Sequence, residues 1–182
     1  MDQAFMKEKK ILPLVISMSL PMVISMCVNS LYNIVDSFFV AKLSEDAMTA
    51  LSLVFPVQNF VNSVAVGFGI GINAVMAIRL GGGDKENSDK AASQGVMLSI
   101  LHGIILTFVC IFGMPLFLSL FTDNENIINM AVEYSNTAFL FSVIINVEIA
   151  FEKIVQAVGK MKVSMFSLIC GCITNIVLDP IF

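Results

Sequence analysis

The chain has 182 residues, of which 57% are hydrophobic and only 13% are charged. A soluble domain carries about 25% charged residues, so this composition excludes an ordinary soluble domain and predicts an all-α integral membrane protein. The formal net charge is −4 and there is no basic tract, which excludes a typical nucleic-acid-binding surface. The four cysteines lie in apolar segments without the spacing of zinc ligands, so no metal site is predicted.

Five apolar segments follow one another along the chain, each long enough to cross a hydrocarbon core of about 30 Å. They predict transmembrane helices over residues 11–40, 47–78, 94–121, 127–154 and 163–182. Short polar separators are predicted at 42–46, at the glycine-rich turn 81–84 with the charged run to Lys90, at 122–126 and at 159–162. The basic start followed by an apolar run resembles a signal peptide, but the long run without a small-residue cleavage site predicts a retained helix.

The basic residues set the orientation of these segments. Counted from the N-terminus through the four separators, the ten Lys and Arg residues fall in the order 3, 1, 3, 0, 3. The positive-inside rule therefore places the N-terminus in the cytoplasm. Asp36 then lies about 9 Å below Lys42 on the outer side, and Asp179 lies about 25 Å above Lys162 on the inner side. Both carboxylates fall in the outer half of the membrane at similar height, which is compatible with one shared cavity.

Two aspartates lie inside the apolar segments, and each follows an asparagine by about one helical turn. The pairs are Asn33 with Asp36 and Asn175 with Asp179. A carboxylate in hydrocarbon costs at least about 2.5 kcal/mol, so it usually faces a cavity or a partner. Carboxylate and amide oxygens suit a hard cation, and a desolvated carboxylate can also take up a proton near neutral pH. The residues therefore predict a cation or proton site at Asp36, Asn175 and Asp179, with sodium and proton both open.

A polar stripe is predicted along the first helix. Because its members recur at helical spacing, they share one face, and such a face contacts protein or water rather than lipid. Pro21 lies four residues before the stripe, removes a backbone hydrogen bond and can kink the helix. The alternative is that the stripe only holds helices together. Its members are Ser25, Asn29, Tyr32, Asn33 and Asp36.

Other polar residues in the apolar segments have no assigned role. His102 is interpreted as a buried, hydrogen-bonded histidine, with a proton relay as the alternative. Glu148 and Glu152 are interpreted as interfacial charges paired with Lys153 or other basic residues, and Glu133 as an interfacial residue. The Gly-x-Gly-x-Gly pattern at 67–71 follows no strand and favours close helix packing over a nucleotide loop. Since no nucleophile pattern accompanies the histidine, an enzyme is not predicted.

The chain resembles the N-terminal part of the multidrug and toxic compound extrusion (MATE) family. The resemblance extends over residues 30–40, 50–56, 67–81, 159–162 and 175–182, in order and with the family's spacing. It implies a twelve-helix transporter in two six-helix lobes, of which this chain would supply helices one to five, most of the N-lobe. We therefore expect a fragment, and the remainder of the transporter would be needed for function.

The resemblance also implies roles for individual residues. Asp36 corresponds to the family's first-helix carboxylate, with Asn175 and Asp179 beside it. Tyr32 and Asn29 fall where the family lines its substrate cavity, and the polar stripe adds Asn33 to that set. Pro21 falls at the proline where the first helix is proposed to bend.

The implied activity is antiport, in which sodium or a proton enters as an amphiphilic, often cationic drug leaves. The implied location is the plasma (inner) membrane of a bacterium, with membrane lipid around the chain and no cofactor beyond the coupling ion. One alternative is a lipid-linked oligosaccharide flippase of the same superfamily, which would favour basic residues in the cavity. Another is a non-transporting membrane assembly subunit, against which the two intramembrane carboxylates argue.

Overall fold

The computed structural model describes residues 10–42 and 44–178, and the side chains at positions 32, 36, 39, 40 and 178 fall outside that description. The described residues form six helices without strands, which confirms the predicted all-helical class. They are α1 (Ile11–Ala41), α2 (Glu45–Gly81), α3 (Lys85–Leu118), α4 (Glu125–Leu140), α5 (Ser142–Ala157) and α6 (Met161–Leu178).

Three of these helices are long and apolar enough to cross a membrane by length and composition: α1 over Ile11–Val35, α2 and α3. A shorter apolar helix covers Met161–Val177 in α6. Many large side chains on these helices are exposed, for example Phe60, Phe112 and Leu116. Exposed apolar surface on this scale is typical of segments that contact lipid or further helices.

The third helix begins earlier than its hydropathy predicts. The charged run 85–90 was expected in the separator, but it forms the first turns of α3. Asp84 caps this helix by accepting a hydrogen bond from the Asn87 N–H at 3.2 Å, and Lys90 pairs with Glu86 one turn earlier at 2.7 Å. Capping and i,i+4 pairs stabilise a polar helical turn outside the hydrocarbon, which a hydropathy pattern does not register.

The turn between α2 and α3 matches the glycine-rich segment at 81–84. Gly83 has a φ of 80°, which only glycine adopts without strain, and Arg79 pairs with Asp84 at 3.6 Å. Hydrogen bonds from Asn87 hold the pKa of the Asp84 carboxyl below its usual range, and the Arg79 charge adds a smaller effect. A lowered pKa means that the charged cap is present at neutral pH and weakens only as the pH falls through that value.

The fourth predicted helix, over 127–154, is divided in the structure. It consists of α4 and α5, which are separated by the single residue Phe141. The backbone N–H groups of Ile144 and Ile145 both donate to the Phe141 carbonyl, so a new helix starts at the break. The apolar pattern is continuous through this point, which is why the sequence predicted one helix.

The chain divides into two compact units. Of the described residues, one unit comprises 10–39 together with 155–178, and it holds most of α1 and all of α6. In this unit Gly159 has a φ of 79° in the turn before α6, and the Gln156 amide donates to the Ser164 hydroxyl at 3.0 Å. These contacts fix the turn predicted at 159–162.

The other unit, residues 40–154, has a core formed by α2, α3 and α4. The core side chains recur at helical spacing on one face of each helix, so the three faces pack together. Within a membrane there is little hydrophobic driving force between helices, so this packing is stabilised mainly by van der Waals contact. The buried members are Ala50, Val54, Val61, Leu106, Cys110, Met114, Leu118, Ala131 and Phe139.

Small residues on α3 bring neighbouring helices close. Gly95, Ser99 and Gly103 are buried at successive turns of this helix. A Cβ added to Gly95 would meet the Ile72 side chain at 2.6 Å, and one added to Gly103 would lie 2.7 Å from the Cα of Val143. The first contact involves a side chain that can move, whereas the second involves backbone.

We therefore expect Gly103→Ala to lower the thermal stability of the full-length protein. Displacing the Val143 backbone is an overpacking change, which typically costs about 1–3 kcal/mol. Gly113→Ala on the same helix is the matched control, since nothing lies within 4 Å of its added Cβ. The melting temperatures in detergent are compared by size-exclusion fluorescence. Equal melting temperatures for the two variants would contradict the close approach at Gly103.

Candidate functional site

The polar positions of α1 share one face of a continuous helix. Because α1 runs without a break from Ile11 to Ala41, positions 25, 29, 32, 33 and 36 lie along the same side of its backbone. Pro21 lies inside this helix, one turn before the face begins, and is buried. The expected stripe therefore exists at the level of the helix backbone.

Hydrogen bonds within α1 use part of this polar face. The buried Ser25 hydroxyl donates to the Pro21 carbonyl at 2.9 Å. The Asn33 amide donates to the Asn29 carbonyl at 2.8 Å. Both asparagines are exposed, so their side-chain oxygens are accessible to a ligand or to a further helix. The face combines a proline, a back-bonded serine and accessible amide oxygens.

The second half of the predicted site lies at the end of α6. Asn175 is half-buried within this helix, in the same compact unit as most of α1. The side chains of Tyr32 and Asp36 lie outside the described residues, and so does the whole of Asp179. The association of the two aspartates in one cavity therefore stays a prediction.

The acidic pair on α5 has different surroundings at its two members. Glu152 lies 3.4 Å from the Lys153 ammonium, and both side chains are largely buried. The Lys153 carbonyl accepts a hydrogen bond from the Asn73 amide of α2 at 2.9 Å. Glu148, one turn earlier, is exposed. The interpretation of Glu152 as a charge paired with Lys153 is confirmed.

His102 is hydrogen-bonded, as expected, but it is half-buried and not buried as predicted. Its Nδ1 lies 2.6 Å from the Leu98 carbonyl, and its ring centroid lies 3.7 Å from that of Phe68. A carbonyl only accepts, so Nδ1 carries the proton in this arrangement. The contacts hold the ring against α2.

The sequence did not identify the polar contacts that join α2 to α4. The Gln58 amide donates to the Tyr134 hydroxyl at 3.1 Å, and the Asn126 amide donates to Asp46 at 3.1 Å. Each pair is separated by 76 or 80 residues, so no local spacing predicts it. These contacts fix the helices of the larger unit.

The described residues offer no cluster of metal ligands, and the cavity at the start of α2 is not lined by the predicted site residues. Among the residues that the structure describes, no group of three His, Cys, Asp or Glu side chains could hold a metal ion. A cavity of about 370 Å³ opens beside the start of α2 and contains none of the predicted site residues. Its lining is Ala41, Glu45, Met48, Thr49 and Ser52.

The family follows from comparison with known proteins. The MatE family model matches residues 21–181, which include both Pro21 and the segment that carries Asn175 and Asp179. The chain belongs to the MATE family. It is therefore a membrane protein of a transporter family.

Two curated relatives of this MATE chain differ in function. The multidrug export protein MepA of Staphylococcus haemolyticus is 25% identical over 178 residues, covering 97% of the chain and 39% of the relative. The FAD transporter of Shewanella oneidensis is 25% identical over 167 residues, covering 91% of the chain and 37% of the relative. The chain thus spans less than two-fifths of the length of these relatives.

Solved MATE structures share the fold of this chain. A MATE crystal structure in a straight conformation superimposes with a TM-score of 0.87 at 31% identity, covering 93% of the chain and 38% of that structure. One in a bent conformation superimposes with a TM-score of 0.86 at 32% identity, with the same coverage. The helical arrangement described here is therefore similar to the N-terminal part of MATE transporters.

Proposed function

We propose that this chain is part of a cation-coupled multidrug efflux antiporter. In the full-length protein, sodium or a proton enters as an amphiphilic, often cationic compound leaves. The observation that carries the proposal is the polar face of α1, which leads from Pro21 through two accessible asparagines to the position of Asp36. A carboxylate position on such a face of a transporter helix is a natural site for a coupling ion.

The proposed ion site comprises Asp36, Asn175 and Asp179. Their oxygens match the ligands that a hard cation prefers, and either carboxylate could instead hold a proton. Asn29, Tyr32 and Asn33 line the adjoining substrate cavity. The ion and the drug must each bind one state of the transporter more tightly than the other. A ligand shifts the equilibrium between two states only by its differential affinity for them.

Pro21 is the proposed hinge of α1. It removes one backbone hydrogen bond from the helix, and the buried Ser25 hydroxyl back-bonds to its carbonyl. Proline and serine back-bonding both favour bending of a helix. The existence of MATE structures in straight and bent conformations supports a movable element in this family.

A second candidate function is export of flavin adenine dinucleotide (FAD). It is favoured by the FAD transporter, which is as similar to the chain as MepA, at 25% identity. The two candidates differ in substrate charge, since FAD is anionic and the proposed cavity is lined by carboxylates and amides. The test is parallel export of a cationic dye and of FAD by cells that make the full-length transporter. Dye export without FAD export is the expected result, and FAD export alone would overturn the multidrug proposal.

The remaining alternatives have less support. An oligosaccharide flippase of the same superfamily would bind phosphate, which favours a basic cavity. A non-transporting assembly subunit has little need of two intramembrane carboxylates. Loss of dye export in the absence of the Asp36 carboxylate would separate the antiporter from both.

The protein is proposed to lie in the bacterial plasma membrane with its N-terminus in the cytoplasm. The order of basic residues along the chain supports this orientation. A cysteine introduced at Asn124 should react with an impermeant thiol reagent from outside the cell, and one at Lys85 should not. Labelling at position 85 from outside the cell would contradict the proposed orientation and indicate the opposite one.

A further inference from the structure

The helix break at Phe141 has no cause in its own sequence. Residues 136–147 contain neither proline nor glycine. A sharp break in a helix otherwise arises where a side chain or a water molecule inserts into the backbone hydrogen-bond ladder. The neighbouring helix α3 and the polar groups around the break supply the evidence for such an insertion.

One insertion is visible in the structure. The Thr107 hydroxyl of α3 donates to the Phe139 carbonyl at 3.0 Å. In an unbroken helix that carbonyl would accept the N–H of Val143, four residues later. Gly103, one turn before Thr107, lets the backbone at Val143 approach α3 closely. The break is therefore docked onto the Gly103–Thr107 face of α3.

Two buried oxygens on the divided helix, one directly after the break and one five residues before it, have no hydrogen-bond partner among the described residues. They are Asn136 Oδ1 and Ser142 Oγ, and Ser142 is 1% exposed. Other buried serines in this unit are satisfied, since Ser99 donates to the Gly95 carbonyl at 2.9 Å and Ser135 to the Val132 carbonyl at 3.1 Å. A buried polar atom without a hydrogen-bond partner is costly, so both oxygens require a donor.

We infer that ordered water binds at the break at Phe141, where it hydrogen-bonds to Ser142 Oγ, and that ordered water likewise satisfies Asn136 Oδ1 in the preceding helix. Buried water is found at polar groups that the protein leaves unsatisfied, and it satisfies broken helices in membranes. Sodium would also suit oxygen atoms, but the groups at the break are neutral. A desolvated cation without a counter-charge is strongly disfavoured. Water is therefore the better ligand.

The test is water-edited solid-state NMR of the full-length transporter in lipid bilayers. Magnetisation transferred from water should reach Ser142 and the Asn136 side chain at early mixing times. Ser99 and Ser135 are the matched controls, because both are buried and their hydroxyls are bonded to carbonyls. Transfer to Ser142 that is no faster than to Ser99, which lies on another helix, would overturn the inference.

Two further measurements separate water from its alternatives. Ser142→Ala should lower the melting temperature if the hydroxyl is hydrated, whereas removal of a dry, unsatisfied hydroxyl would leave it unchanged or raise it. The NMR signals of Asn136 and Ser142 should be the same in sodium and in choline buffers. A sodium-dependent shift confined to these residues would contradict water and identify a cation site.

Discussion

In the full-length transporter, Asp36→Asn is expected to reduce export of a cationic dye at least fivefold while leaving the protein folded. The substitution keeps the size of the side chain and removes its ionisable group. If ion binding at Asp36 drives the exchange, losing it removes the coupling free energy. Coupling between sites is typically about 1–3 kcal/mol, or about 5–150-fold in affinity, which sets the lower bound of the expected loss.

The measurement is dye export from cells that contain equal amounts of each protein. Asp123→Asn is the matched control, since it makes the same chemical change at an exposed position in the predicted outer separator. The control should export at the wild-type rate. Near-normal export by Asp36→Asn would mean that this carboxylate is structural, and the proposed coupling site would be lost with it.

The second large effect is expected at the pair of aspartates. If Asp36 and Asp179 line one pocket, an ion or proton on one carboxylate changes the affinity of the other, as interacting carboxylates do. The effects of Asp36→Asn and Asp179→Asn on ion affinity should then be strongly non-additive. The double variant should bind the ion little worse than the weaker single variant. Asn175→Ala should cause a smaller loss, because it removes a dipole and not a charge.

The sequence predicted the helical class and the turns because both depend on local signals. Hydropathy located the long helices, and the glycines at 83 and 159 mark turns where the chain takes a positive φ. Periodicity placed Asn29, Asn33 and the position of Asp36 on one face of α1. Each of these inferences uses residues within a few turns of one another.

The break between α4 and α5 could not be predicted for the opposite reason. Its causes lie on another helix, where Gly103 admits the Val143 backbone and Thr107 bonds to the Phe139 carbonyl. Nothing in the apolar pattern of residues 127–154 signals these contacts. The early start of α3 was missed because hydropathy does not detect a capped, charged helical turn.

The candidate site also has one part that local sequence signals predict and one part that depends on tertiary contacts. The face of α1 follows from helical spacing, but the association of α1 with the end of α6 depends on tertiary packing. Asn29 and Asn33 are exposed on α1, and Asn175 lies in α6.

Ion binding across the mutant cycle tests this assignment most directly. Sodium or proton binding to purified full-length protein is measured by calorimetry for the wild type, Asp36→Asn, Asp179→Asn and the double variant. We expect one site whose affinity falls sharply in each single variant and hardly further in the double variant. Independent, additive losses at the two positions would contradict a shared cation site and leave two separate structural carboxylates.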